Sequence, residues 1–227
     1  MKSISVITPS IRPDGLKVTF ETLQQQTFTD FEWLPRLSIL GVKPDLCYQM
    51  NKALDEAQGS LVVFLQDWIM IEPTGLEMMW QSYLESPLTC WTAPVGKQNE
   101  LGGPVRWDWR PFWKHREGIP YDHWEIDWGC APRDVLVKEK FCEQYDDGFG
   151  WENVDLALRL KFLGLDFKVD PDNKAVAIDH DAHAPHPYKH KANIYLWEQR
   201  KTLLEYANSG DQNLGTTPQP DADSFQP

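Results

Sequence analysis

The chain has 227 residues, of which 41% are hydrophobic and 12% aromatic, a composition typical of a globular protein and not of a disordered one. Its formal net charge of -12 disfavours non-specific binding to nucleic acid or anionic membranes, because both are polyanions. The length suits one large domain, and no apolar run suffices for a signal peptide or a membrane span, so we expect a cytoplasmic protein.

The first part of the chain predicts two strand and helix pairs. A β-rich run covers Ile4 to Thr8, and residues 13–27 carry apolar side chains at helical spacing. A second apolar stretch, 31–40, precedes Asp45, which stands at the cap position of a helix predicted over 46–57. The alternation of strands and helices indicates an α/β protein.

A third strand, predicted over 60–65, is unbroken in its apolar character, which is typical of a central parallel strand buried on both faces. It is followed at once by the polar residues Gln66 and Asp67. In doubly wound sheets, ligands collect at the carboxyl ends of the strands. Because Thr8, Pro9 and Asp67 stand at two such ends, we expect the functional site there.

The middle of the chain is less regular. A helix is predicted over 73–84 and a strand over 88–95, whereas 96–127 is loop-like and rich in Trp, Pro and Gly. Helical patterns return over 132–141 and 151–163. The loop-like segment is therefore a candidate insertion beside the site.

The C-terminal part predicts two short strands, over 166–169 and 175–178, and a closing helix over 189–206. The last residues, 209–227, are polar and contain too few apolar side chains to pack, so we expect a disordered tail. Residues 1–208 are then a single domain. The four cysteines are widely spaced without a CxxC pair, which predicts buried free thiols and no disulfide framework.

Two segments carry residues suited to a metal ion. Asp67 follows five apolar residues, and a carboxylate there is costly to bury unless it lies at a strand end or binds a cation. After the last strand, four histidines follow in close succession, and imidazoles suit Mn²⁺ together with an aspartate: His180, His183, His186 and His190. The ordinary alternatives are an Asp that caps a turn and a polar loop that tolerates His.

A third segment offers a pair of acids. Glu152 and Asp155 stand three residues apart at a predicted helix start and so share one face. Such carboxylates can accept a proton from a substrate, and they also suit a helix N-terminus because of the helix dipole alone. Either interpretation accounts for them.

Together, several segments resemble the GT-A glycosyltransferases, specifically family 2-like enzymes and the related galactosyl- and N-acetylgalactosaminyltransferase domains. SVITPS at 5–10 resembles the family's first strand, which ends in Thr-Pro beside the donor nucleoside. NKALDEAQGSLVVFLQDW at 51–68 resembles the approach to its acidic metal motif. GFGWENVDLALRL at 148–160 and IDHDAH at 178–183 resemble its acceptor-facing and histidine-bearing segments.

The resemblance implies a Rossmann-like GT-A fold with a mostly parallel central sheet flanked by helices. It also implies an inverting transfer of a hexosyl or pentosyl group from a nucleotide-sugar, with a UDP-sugar favoured, to an acceptor hydroxyl, assisted by Mn²⁺ or Mg²⁺. The implied roles are nucleotide-sugar binding by Thr8, Pro9, Ser10, Arg12 and Asp67, metal binding by Asp67, His180 and His183, proton acceptance by Glu152 or Asp155, and acceptor binding by Trp151, Trp128 and Asp127.

The chain departs from the family at two positions. Its metal motif keeps one acid, Asp67, where two are usual, and Asn153 stands where related enzymes carry the catalytic Asp. A degenerate GT-A module that binds a sugar or nucleotide is therefore an alternative. A nucleotidyltransferase is a second alternative, although TPSIRPDG is a poor version of the phosphate loop that it would carry. The acceptor stays open among a glycan, a protein, a lipid-linked sugar and a modified base in DNA.

Overall fold

The computed structural model describes residues 2–11, 13–37, 45–99, 103–112, 118–147, 150–179 and 190–209. Within these ranges the helices are α1 (Pro13–Gln24), α2 (Leu46–Glu56), α3 (Gly75–Glu85), α4 (Arg133–Glu139), α5 (Glu152–Phe162) and α6 (His190–Ser209). The strands are β1 (Ile4–Ser10), β2 (Phe31–Leu37), β3 (Leu61–Leu65), β4 (Ile69–Ile71), β5 (Thr89–Thr92), β6 (Val95–Asn99), β7 (Arg106–Trp107), β8 (Trp128–Pro132), β9 (Asp166–Val169) and β10 (Ala175–Asp179).

A six-stranded sheet in the order β2-β1-β3-β8-β5-β9 forms the centre of the protein. β1 runs parallel to β2 and β3, and β5 runs parallel to β9, while β8 is antiparallel to both of its neighbours. Every residue of β3 is buried, as the unbroken apolar pattern predicts for a central strand. The expected mostly parallel α/β sheet in a single domain is confirmed.

The apolar core lies on both faces of this sheet, because successive side chains of a strand point to opposite sides. In β3, Val62 and Phe64 face one cluster, which is completed by α2, α4 and α5. Leu61, Val63 and Leu65 face the other cluster, which α3 and the end of α1 cover. The two layers of helices hold the sheet and fix the positions of the strand ends.

Strand β8 was not predicted from the sequence. Its five residues, WGCAP, include Gly and Pro, which disfavour a strand, yet all five are buried. Because β8 is antiparallel, its first residues lie at the carboxyl ends of its neighbours: Trp128 is opposite Leu65 and Gly129 is opposite Thr92. The segment that enters β8 is thereby brought to the edge of the sheet where the sequence predicts the site.

A second sheet has the strand order β4-β10-β6-β7. Its strand β4 follows β3 in the chain after Gln66, Asp67 and Trp68. β10 runs antiparallel to β4 and parallel to β6. The sequence indicated a loop over 96–127, and the structure instead places most of β6, all of β7 and two short 3₁₀ turns there. This sheet closes one side of the candidate site.

The N-terminus of α2 is capped differently from the expectation. Asp45 makes no side-chain cap and accepts a hydrogen bond from Gln49 Nε2 at 2.6 Å. The carboxylate of Asp146 instead accepts the backbone N–H groups of Cys47 at 2.6 Å and Tyr48 at 3.0 Å. A residue distant in the chain satisfies these donors, which local sequence patterns do not reveal.

The cysteines are free thiols: Cys47, Cys90 and Cys130 are buried, and Cys142 is partly buried. No helix in the described ranges has the length and apolar character needed to cross a membrane. The predicted tail lies outside the described residues, apart from the last residue of α6 at position 209.

Candidate functional site

The carboxyl ends of β1 and β3 bring three predicted donor-site residues together. The Ser10 hydroxyl donates a 2.6 Å hydrogen bond to Asp67 Oδ2, which joins the two strand ends. Thr8 is fully buried, and its hydroxyl accepts a hydrogen bond from Trp33 Nε1 at 3.0 Å. Pro9 stands between them and is partly buried. These residues, which the sequence predicted to share one site, therefore lie close together in the structure.

The first turn of α1 packs tightly against Asp67 and Trp68. A Cβ atom at Gly15 would lie 2.6 Å from Asp67 Oδ2 and 2.5 Å from Trp68 Nε1, so only glycine fits. Trp68 has a positive φ of 63°, a left-handed conformation that costs energy in a bulky residue. This strained turn re-aims the chain immediately after Asp67 and leads it into β4.

Asp127 lies at the next strand end. The Gln66 N–H donates a 2.9 Å hydrogen bond to the Asp127 carbonyl, which places the segment before β8 beside the segment after β3. The Asp127 carboxylate is held in a bidentate pair with Arg110, at 2.7 Å and 2.8 Å. Asp67 and Asp127 thus stand on adjacent segments at one edge of the sheet.

Arg110 is the centre of an ion-pair cluster that sequence reasoning missed. Its side chain is only 2% exposed, and beyond Asp127 it binds Asp108 Oδ2 through Nε at 2.8 Å and Thr92 Oγ1 at 2.9 Å. Burial lowers the pKa of the guanidinium, but its pairs with Asp127 and Asp108 outweigh this and raise the pKa above its ordinary value. Arg110 is therefore a fixed positive charge between two acids.

A cavity of about 590 Å³ opens beside this cluster. Aromatic, basic and acidic side chains share its wall, and its members include Trp107, Trp109, Lys97, Arg106, Glu125 and Asp127. Flat aromatic surfaces next to hydrogen-bonding groups suit a sugar ring, which is apolar on its faces and polar at its rim. Most of these residues come from the Trp-rich segment that the sequence suggested as an insertion, and of them only Asp127 was predicted individually.

Glu125 is the acid in the cavity wall whose ionisation is most altered. Burial, and then the nearby charge of Asp127, raise its pKa to about 7, although Arg110 opposes the shift. The Asn153 amide lies 3.4 Å from Glu125 Oε2 and donates a shorter hydrogen bond, 3.0 Å, to the Trp124 carbonyl. A carboxyl group with this pKa exchanges a proton near neutral pH.

The two acids predicted at the start of α5 lie in different environments. Glu152 has a raised pKa because of burial, although backbone N–H groups of Glu152 and Gly150 oppose the shift. Asp155 is fully buried, and its Oδ2 accepts hydrogen bonds from Arg159 Nε at 3.0 Å and Arg200 Nη2 at 3.1 Å. Its Oδ1 accepts a hydrogen bond from Arg200 Nε, so the pair with Arg200 ties α5 to α6, which indicates a structural role.

The two tryptophans predicted to bind an acceptor, Trp128 and Trp151, lie in different surroundings. Trp128 is fully buried in the core and donates from Nε1 to the Asn173 carbonyl at 2.9 Å, so the expectation that it binds an acceptor is wrong. Trp151 is partly buried and stacks on Trp197 with ring centroids 6.1 Å apart. Its φ of 76° marks a strained turn directly before α5.

The predicted metal site falls largely outside the structure described. His180 and His183 lie in the segment 180–189, which is not among the described residues, and the same is true of Arg12. Within the described ranges, no three His, Cys, Asp or Glu side chains converge as a metal site requires. Asp67 is the one proposed ligand whose surroundings are described.

Comparison with known proteins establishes the fold. The chain matches no protein-family model and no curated protein. Among solved structures it is similar to residues 1–349 of TarS from S. aureus in complex with UDP-GlcNAc, with a TM-score of 0.66 and 16% identity over 95% of this chain and 68% of that one. The same fragment in complex with UDP gives a TM-score of 0.63 and 15% identity, over 90% and 65% of the two chains.

A longer TarS chain gives a TM-score of 0.59 and 16% identity, over 79% of this chain and 37% of that one. The present chain therefore spans little more than a third of that longer TarS. Identities this low show the fold alone, which is the GT-A fold that the sequence resemblance implied.

Proposed function

We propose that the chain is a glycosyltransferase that moves a sugar from a UDP-sugar to an acceptor hydroxyl. The observation that carries the proposal is the contact between Gln66 and Asp127, which sets the Asp67 cluster beside the aromatic and acidic cavity. One segment suits a nucleotide-sugar and the adjoining cavity suits a sugar-like acceptor. UDP-sugars are the donor class favoured here because the fold is shared with TarS, which binds UDP-GlcNAc.

In this assignment the donor binds along the ends of β1 and β3. Pro9 and Ser10 lie beside the nucleotide, and the buried Thr8 holds the strand end through its hydrogen bond with Trp33. Arg12, two residues after Ser10 in the sequence, is a further proposed ligand. The acceptor enters the cavity, where Trp107 and Trp109 offer flat surfaces and Asp127 is held rigid by Arg110. A direct displacement with inversion at the anomeric carbon is the proposed reaction, as the family resemblance implies, and binding of both substrates at one edge suits it.

Mn²⁺ or Mg²⁺ is the proposed cofactor, with Asp67 and His180 or His183 as ligands. A bound cation would supply charge neutralisation for the departing diphosphate. Support comes from β10, which pairs with β4 antiparallel and donates the Ile178 N–H to the Trp68 carbonyl at 3.0 Å. The strand that precedes the histidines in the sequence therefore runs beside the residue that follows Asp67.

The experiment measures UDP binding by calorimetry and UDP release from UDP-GlcNAc, UDP-glucose and UDP-galactose, with Mn²⁺ or with EDTA. We expect binding, and a slow release of UDP with water as acceptor that EDTA abolishes. Asp67→Ala is expected to abolish release and keep the fold by circular dichroism. Asp134→Asn is the matched control, because this acid is 86% exposed and lies where β8 passes into α4, at the far edge of the sheet.

Other outcomes separate the alternatives. Tight UDP binding with no release from any donor would indicate a degenerate GT-A module, which Asn153 and the single acid of the metal motif favour. Release of pyrophosphate from a nucleoside triphosphate would indicate a nucleotidyltransferase. Unchanged activity in Asp67→Ala would remove Asp67 from the site.

A further inference from the structure

Three acids compete for the role of proton acceptor, and their surroundings distinguish them. Asp155 is fully buried and both of its oxygens bind arginines. Glu152 is partly buried at the start of α5 and is not among the residues that line the cavity. Glu125 is in that wall, beside Asp127 and the tryptophans where an acceptor would bind. Of the three, Glu125 is the acid that lines the cavity proposed for the acceptor.

The backbone that carries Glu125 is fixed from several sides. Its carbonyl accepts a hydrogen bond from Thr92 Oγ1 at 3.1 Å. Gly129 lies so close that a Cβ atom there would be 2.4 Å from the same carbonyl oxygen. The preceding Trp124 is fully buried and donates from Nε1 to the Trp91 carbonyl at 3.1 Å. A side chain on such a support is held in place before substrate binds, which a catalytic group requires.

Asn153 completes the support from α5. Its amide bonds the Trp124 carbonyl and approaches Glu125 Oε2 at 3.4 Å. An amide at this position steadies the carboxylate without adding a charge, whereas an aspartate would place a second negative charge beside it. The departure of this chain from the related family at position 153 is thus matched by an acid contributed from a different segment.

We propose that Glu125 is the catalytic residue that accepts the proton of the attacking hydroxyl and that Asn153 is its positioning residue. The inference rests on the proposed sugar transfer. In that step the hydroxyl oxygen forms a bond to the anomeric carbon, and the bond from that carbon to the diphosphate oxygen breaks. Its electron pair leaves with UDP. The hydroxyl proton passes to the Glu125 carboxylate, which becomes a neutral acid and then loses the proton to solvent.

The charges around Glu125 suit this role. Asp127 on its own segment, Asp108 before the 3₁₀ turn and Glu152 on α5 all raise its pKa, and Arg110 lowers it. Burial is the largest cause, and the resulting pKa is about 7. A base of this strength is ionised above neutral pH and still holds a proton well enough to remove it from a hydroxyl in the transition state.

The test compares Glu125→Gln, Glu152→Gln and the control Asp134→Asn, using UDP release from UDP-GlcNAc between pH 5.5 and 9. Glu125→Gln is expected to lower kcat by about 100-fold or more, the usual contribution of a general base, while UDP affinity by calorimetry is unchanged. In the wild-type protein, kcat/KM should rise with pH through about 7, and this acid limb should disappear in Glu125→Gln. Asn153→Asp should move the limb to higher pH.

Wild-type turnover or a retained acid limb in Glu125→Gln would overturn the inference and leave the proposed sugar transfer standing. Loss of both in Glu152→Gln, with Glu125→Gln active, would assign the proton to Glu152. Faster turnover in Asn153→Asp would show that the base belongs at position 153. Absence of UDP release from the wild-type protein would overturn the sugar transfer itself and this inference with it.

Discussion

The buried carboxylate of Asp155 permits a quantitative prediction. Asp155→Asn keeps the side-chain shape and removes the charge that pairs with Arg159 and Arg200. Removing one partner of a buried ion pair costs about 3–5 kcal/mol, because the remaining charges lose their compensation without regaining water. Asp155 is 0% exposed and its partners are 12% and 25% exposed, so we expect the lower end of that range.

The measurement is thermal unfolding followed by circular dichroism, supported by urea titration. For a domain of this size, 1 kcal/mol corresponds to about 2–4 °C, so a loss of about 3 kcal/mol lowers the Tm by about 6–12 °C. The matched control is again Asp134→Asn, whose partner Arg133 is 3.4 Å away at the surface. Exposed pairs contribute about 0–1 kcal/mol, so the control should unfold close to the wild-type temperature.

A contrary result is easily recognised. If Asp155→Asn kept the wild-type Tm and abolished UDP release, Asp155 would be the proton acceptor that its place in the sequence allowed. The expected result is the reverse, with a lower Tm and a turnover that recovers once the assay temperature is well below the new transition.

Three further substitutions test the geometry of the site. Gly15→Ala should displace Asp67 and weaken UDP binding by about tenfold, or about 1.4 kcal/mol, in calorimetry. Gly129→Ala should lower the free energy of unfolding by about 1–3 kcal/mol in urea titration, since its Cβ meets the Glu125 carbonyl. Arg110→Met should lower it by about 3 kcal/mol, because two acids lose their shared partner.

Each of these has a clear contrary outcome. Wild-type UDP affinity in Gly15→Ala would show that the first turn of α1 does not support the donor site. Wild-type stability in Gly129→Ala would mean that the segment before β8 yields easily, which weakens the case for a fixed Glu125. A higher stability of Arg110→Met would show that the desolvation free energy of these buried charges exceeds the free energy gained from their pairing.

The parts of the fold that follow from local patterns were predictable. β3 is buried on both faces, so its apolar run is easily recognised, and the reasoning that ligands gather at strand ends then led to Thr8, Pro9 and Asp67. β8 was not predicted because Gly and Pro in WGCAP disfavour a strand, and this strand is stabilised by tertiary burial. Tertiary pairing also decided the cap of α2, for which Asp146 displaced the local candidate.

The residues that line the cavity were harder to predict for a related reason. Glu125 and Arg110 lie in a stretch with no helical or strand periodicity, and their importance comes from neighbours distant in sequence. The alternation in WDWR at 107–110 was the available signal, since a buried arginine flanked by acids and aromatic residues suggests a paired cluster. The burial of Trp128 could not be predicted from the sequence either, because an amphipathic ring can pack in a core or bind a sugar.

Because β8 runs antiparallel to its neighbours, the proposed acceptor cavity and the proposed donor site are built from different parts of the chain. The segment between β5 and β8 leaves the sheet at Thr92 and returns at Trp128, and both anchor points lie at the same edge because the two strands run in opposite directions. Such an excursion can lengthen, shorten or change its side chains while the strands that present Asp67 and Ser10 stay as they are. Under the proposed function, changes in this excursion would therefore alter the acceptor and leave the donor site as it is.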